Sequence, residues 1–154
     1  MKRFYSERMH NKLNAVITTD EKQREDAYSV RMTVFVIEQN VPVALEIDEL
    51  EDEAVHFVLY DDEMNPCGVG RFRIVGEYGK VERICVLKET RGQGAGNLIM
   101  DAIEQHAATF PGLTALKLDA QVQAIPFYEK RGYKVVSDEF LDAGIVHKTM
   151  TKPL

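Results

Sequence analysis

"ERICVLKETRGQGAGNLIMDAIE", residues 82–104, decides how this chain folds. It opens on a strand-like run and closes on apolar residues at helical spacing. Between the two, Gly92, Gly94 and Gly96 occupy alternate positions beside Arg91. A strand, a glycine-rich turn and a helix make an anion site: the first helical amides point outward unbonded, the helix dipole favours negative charge, and absent side chains let the backbone reach a phosphate. A Walker loop needs Lys and Ser or Thr directly after its last glycine, and here Asn97 and Leu98 follow. A dinucleotide turn reads GxGxxG, whereas this one reads GxGxG and comes late in the chain. Asp119, at the end of the next strand, lies near the place of a ribose-binding acid, so dinucleotide binding stays as a lesser alternative.

Outward from the turn, the pattern is regular. "NAVITTDEKQ" reads as a short strand ending at a helix start, with Asp20 as cap and Gln23 at the reciprocal capping-box position. Ala27, Val30, Arg31 and Val34 recur at helical spacing, which predicts a helix from 21 to about 36. "VHFVLYD" (55–61), "CGVGRFRIV" (67–75) and "GKVERICVL" (79–87) form a meander of hairpins. A helix follows over about 93–109, with Leu98, Ala102, Ile103, His106 and Phe110 on its apolar stripe and Pro111-Gly112 as its stop. "TALKLDA" alternates as a strand, "AIPFYEKRG" is a short helix, and "YKVV" and "GIVHKTMT" close the chain as strands.

At 154 residues, with 45% hydrophobic and 29% charged residues, the chain fits one soluble α/β domain spanning 1–154, with 1–12 as an N-terminal extension. The charged N-terminus lacks the apolar middle of a signal peptide and no run is long enough to cross a membrane, so the expected address is cytoplasmic. Cys67 and Cys85 each sit in an apolar run and read as reduced, packed thiols; no metal site is expected. The net charge of −6 argues against a nucleic-acid partner. Much of the acidic excess lies in "ALEIDELEDEA" (44–54), read either as a solvated loop or as a rim that attracts a cationic substrate.

Arg91, Gly94 and Gly96 fill the Q/RxxGxG/A signature of the GNAT family of N-acetyltransferases, and the resemblance extends along most of the chain. "VFVIEQNVP", "AVHFVLYD", "LDAQVQAIPFYEKRGY" and "GIVHKTM" resemble successive segments of its small branch of ElaA- and YjcF-like proteins. That resemblance implies a mixed, twisted sheet of six or seven strands flanked by about four helices, splayed between strands four and five. It implies acetyl-CoA as acyl donor, its pyrophosphate at Arg91, Gly92, Gln93, Gly94, Ala95 and Gly96. Ile84, Cys85 and Val86 would border the pantetheine and acetyl group, with the Val86 amide polarising the carbonyl. Homodimers are common in folds of that kind.

Transfer to an amine requires a neutral nucleophile, whereas a lysine-like ammonium is mostly protonated near neutral pH. Alternation places Lys80, Glu82, Ile84 and Val86 on one face, which makes Glu82 a candidate base, directly or through water. His56 is another candidate. By resemblance Tyr128 protonates the departing sulfur, with Phe127 as its packing neighbour at the cofactor. Glu46 and Asp48 are candidates to bind an ammonium, and Gln121 and His147 to face the acceptor, a small-molecule or peptide amine. A non-catalytic acyl-CoA-binding module is the alternative function.

Overall fold

The computed structural model describes residues 12–154, so the expected N-terminal extension lies almost wholly outside the described residues. Among the described residues eight strands form one sheet: β1 (Asn14–Ile17), β2 (Val55–Tyr60), β3 (Pro66–Val75), β4 (Tyr78–Val86), β5 (Ala115–Gln121), β6 (Lys134–Val135), β7 (Phe140–Asp142) and β8 (Ile145–Pro153). Their order is β1-β2-β3-β4-β5-β8-β6, with β7 also pairing β8. All neighbours run antiparallel except β4 and β5. The expected mixed sheet is present with one strand more, since β7 is too short to register as a pattern.

The helices are α1 (Glu21–Arg31), α2 (Val43–Glu46), α3 (Ala95–Ala107) and α4 (Ile125–Lys130). The Asp20 carboxylate caps α1 by accepting from the Gln23 amide at 2.8 Å, and Gln23 reaches back to the Thr19 amide at 2.7 Å. Past Arg31 the chain keeps winding, but as a π-type turn over Met32–Glu38. The sequence reading joins these into one helix; the wider winding instead carries Phe35, Glu38 and Gln39 to the mouth of a cleft.

Helices cover both faces of the sheet. Ala27, Val30 and Val34 pack with Val58, Tyr60, Val69 and Cys85 on one side. On the other, α3 buries Ala95, Ile99, Met100, Ile103 and Ala107 against β2–β4. Each such large side chain contributes roughly 1.5–3 kcal/mol by leaving water. The expected stripe is therefore rotated by about one position: Leu98, Ala102 and Phe110 flank the buried line. His106 stands edge-on to Phe57, Phe72 and Phe110. Both cysteines are buried and free, as expected.

Candidate active site

The cleft begins where β4 and β5 part. They pair from Tyr78↔Ala115 to Val81↔Leu118 and no further. The cause is a bulge in β4: Val69 faces Cys85 but Arg71 faces Glu82, leaving an extra residue on β4. Arg83 there has φ +57°, a left-handed conformation uncommon for a non-glycine residue. A bulge bends its strand and sharpens the twist, which turns Ile84–Val86 away from β5. The resulting cleft, about 570 Å³, is lined by both strand ends, the π-turn, Tyr128 and His147. That size suits a small-molecule site.

The bulge also resets the side-chain alternation. Glu82 lies with Arg71 on the α1 side, while the Ile84 terminal methyl points towards α3, 2.8 Å from where a Cβ on Gly70 would stand. Lys80, Glu82, Ile84 and Val86 therefore do not share one face, and the expectation built on unbroken alternation is corrected. Glu82 lines the cleft, but Arg71 contacts it at 3.0 Å and Arg73 at 2.8 Å. Burial would raise its carboxyl; the two guanidiniums outweigh burial and hold it below the usual carboxylate range. It is a weak proton acceptor in this setting.

The acidic segment is divided: Glu49, Asp52 and Glu53 are exposed, as a solvated loop would have them, while Glu46, Asp48 and Glu51 turn inward. Glu46 and Glu51 are buried, and Arg31 bonds both, at 2.9 and 2.7 Å. Arg71 spans Asp48 at 2.8 Å and Glu51 at 3.1 Å, and Arg83 contacts Glu46 at 3.1 Å and Asp48 at 3.2 Å. Glu46 and Asp48 are thus occupied by the protein's own arginines instead of waiting for a substrate ammonium. His56, 2% exposed, donates from Nε2 to the Glu51 carbonyl at 2.8 Å, and burial pushes its pKa down. It belongs to this network and not to the cleft lining.

Burial would also raise the Glu51 carboxyl, but Arg31 leads the contacts that carry it down to about 2. A depressed folded-state pKa contributes stability above the unfolded value near 4.5 that is lost as pH falls through about 2. Urea unfolding at stepped pH is expected to show a decline across that window, with roughly 3 kcal/mol from this group. A flat free energy between pH 5 and 2 would contradict the assignment.

The glycine turn carries α3. Gly92 and Gly94 have φ of +81° and +79°, which favour glycine, and Gly94 caps the helix without any side chain bonding its first amides. The Ala95, Gly96 and Asn97 N–H groups therefore offer an anion site. Gly96 has a second reason: a Cβ there would lie 3.1 Å from the Phe127 ring, so glycine lets α4 approach α3. Arg91 stands beside the turn, lines the cleft and is ion-paired. Its guanidinium bonds Glu38 at 2.7 and 2.8 Å and donates from Nε to the Val86 carbonyl at 3.0 Å. The free donors of the turn are backbone amides, while the half-exposed Arg91 guanidinium is shared with Glu38 and Gln93 turns back to the Glu89 carbonyl.

At the end of β4, on the side away from the gap, the Leu87 amide donates to the Cys67 carbonyl of β3. Alternation then directs the Val86 amide into the gap. Cys85 is buried, and burial pushes its thiol far above its ordinary range, which removes it as a nucleophile. Tyr128, 7% exposed, packs edge-on to Phe127 and Tyr133 and lines the cleft. Burial raises its phenol, so it stays protonated, and among the described residues its hydroxyl has no hydrogen-bond partner. Gln121 bonds Gln39 at 2.9 Å, a pairing of β5 with the π-turn that no local pattern announces. Asp119 bonds Lys80 and Thr149, which leaves it ill placed for a ribose.

Comparison with known proteins agrees with this geometry. A family model described as an acetyltransferase (GNAT) domain matches residues 9–154. The uncharacterised N-acetyltransferase YjcF of Bacillus subtilis is 55% identical over 141 residues, covering 91% of this chain and 99% of its own. Escherichia coli ElaA has the same fold, with a TM-score of 0.79 at 20% identity over 91% of this chain and 97% of that one. So does N-acetylglutamate synthase from Neisseria gonorrhoeae, solved with coenzyme A and N-acetyl-glutamate. Its TM-score is 0.68 at 16% identity, over 92% of this chain and 35% of that one.

Proposed function

The chain belongs to the GNAT acetyltransferase family and is an acyltransferase, and from that premise we propose that it transfers an acetyl group from acetyl-CoA to a primary amine. The observation that carries this reading is the gap opened by the Arg83 bulge, with uncapped helix amides at one end and a protonated phenol inside it. Acetyl-CoA supplies an activated acyl group as a thioester. The Ala95, Gly96 and Asn97 amides receive its pyrophosphate, and Ile84, Cys85 and Val86 border the pantetheine. The Val86 amide donates to the carbonyl oxygen as charge develops there. Tyr128 donates to the sulfur as it leaves.

The acceptor is a primary amine of a small molecule or peptide. Because arginines meet the charges of the acidic segment, recognition falls to the wall of Gln39, Gln121, Gln123 and His147.

Thermal unfolding with and without ligand tests the donor. Acetyl-CoA is expected to raise Tm in a concentration-dependent way, and NADH to leave it unchanged. Gly94→Glu places a charged side chain at a left-handed position facing the phosphates, and is expected to weaken acetyl-CoA binding at least tenfold. Retained affinity in that variant would remove the pyrophosphate from this turn.

A further inference from the structure

We propose that His147 is the general base, its Nε2 taking the proton from the acceptor's ammonium; this rests on the acetyl-transfer reading above. Three of the other candidates are engaged. Glu82 is held by Arg71 and Arg73, Asp119 by Lys80 and Thr149, and His56 by the Glu51 carbonyl outside the cleft. His147 is built differently. Its Nδ1 lies 2.7 Å from the Ile145 carbonyl, and a carbonyl only accepts, so Nδ1 carries the proton. That contact fixes the tautomer in which Nε2 presents its lone pair. Among the described residues Nε2 has no partner, and the imidazole lines the cleft.

The sheet positions the ring. His147 on β8 pairs with Gln121 on β5 and with Phe140 on β7, so one rung crosses three strands. Phe140 stacks on the imidazole, with ring centroids 6.0 Å apart and planes 22° apart. The charged and titratable groups that share the cleft with it are Glu38 from the π-turn, Glu46 from α2, Lys80, Glu82, Arg83 and Cys85 from β4, Arg91 before α3, Asp119 from β5, Tyr128 from α4 and Asp142 from β7.

The protons balance as follows. The ammonium gives one proton to His147 Nε2, and the freed lone pair forms the C–N bond as the carbonyl pair moves to oxygen. When that pair returns, the C–S bond breaks and the sulfur takes the Tyr128 proton. The second nitrogen proton restores the phenol, and His147 passes its proton to water. One proton is released for each amide formed.

The variant His147→Asn tests this, because an asparagine amide keeps a donor for the Ile145 carbonyl while removing the base. CoA thiol release is measured with a primary alkylamine that the wild type acetylates, from pH 6.5 to pH 9.5. At neutral pH, kcat/KM for the amine is expected to fall about 100-fold or more, with KM for acetyl-CoA unchanged. The deficit is expected to shrink as rising pH deprotonates the amine in solution. His147→Gln provides a second variant should the first fold poorly. An unimpaired variant, or a deficit equal at every pH, would overturn the role of His147 alone. A wild type silent with every amine would overturn the acetyl-transfer reading as well.

Discussion

Tyr128→Phe is expected to lower kcat by about 100-fold or more while leaving acetyl-CoA affinity within a few fold. The ring accounts for the packing: it meets Phe127 at 5.0 Å and Tyr133 at 5.8 Å between centroids, and phenylalanine keeps both contacts. Only the hydroxyl is lost. It has no hydrogen-bond partner among the described residues, so its removal leaves no other group unsatisfied and the fold should be indifferent to it. A loss confined to turnover therefore isolates the chemical role, with calorimetry reporting affinity and single-turnover thiol release reporting the chemical step. Unchanged single-turnover rates would remove Tyr128 from the acid role.

Arg71→Ala is expected to destabilise the protein by about 3–5 kcal/mol. Arg71 is 1% exposed and contacts Asp48, Glu51 and Glu82, so truncation leaves three partly or fully buried carboxylates short of a partner. Surface pairs rarely reach this size because water compensates each charge. Here Arg31, Arg83 and Arg73 remain, one each at Glu51, Asp48 and Glu82, but none replaces the buried guanidinium that joins all three. Adding Glu82→Gln to Arg71→Ala is expected to recover part of the loss, since it removes a charge that has lost one of its two guanidiniums. The measurement is urea denaturation at pH 7. A loss below about 1 kcal/mol would mean that the network is not holding the 43–54 segment against the sheet.

The parts of the fold that were legible in the sequence are those whose cause is local. Gly92 and Gly94 announce positive φ, Asp20 with Gln23 announces a helix start, and Ala27, Val30, Arg31 and Val34 announce a buried stripe. The splay between β4 and β5 was implied by resemblance, and the end of pairing at Val81↔Leu118 bears it out. Its device was hidden, because an arginine at φ +57° runs against backbone preference and only tertiary contacts to Leu45, Glu46 and Asp48 hold it there. The same hidden bulge misled the assignment of Glu82 to the face of Ile84 and Val86. Charges between 44 and 54 looked solvated because their partners, Arg31, Arg71 and Arg83, lie far away in sequence. Arg91 pairs with Glu38, more than 50 positions away, a partner that no local pattern announces.

The most direct test of acetyl transfer is release of free CoA thiol from acetyl-CoA in the presence of a panel of primary amines, with the acetylated amine identified by mass. The panel spans polyamines, amino sugars, small alkylamines, and peptides with a free N-terminus or lysine. The expected result is amine-dependent thiol release, matched one for one by amide, with at least one acceptor. Tight acetyl-CoA binding without thiol release for any acceptor would contradict it and identify the protein as an acyl-CoA-binding module.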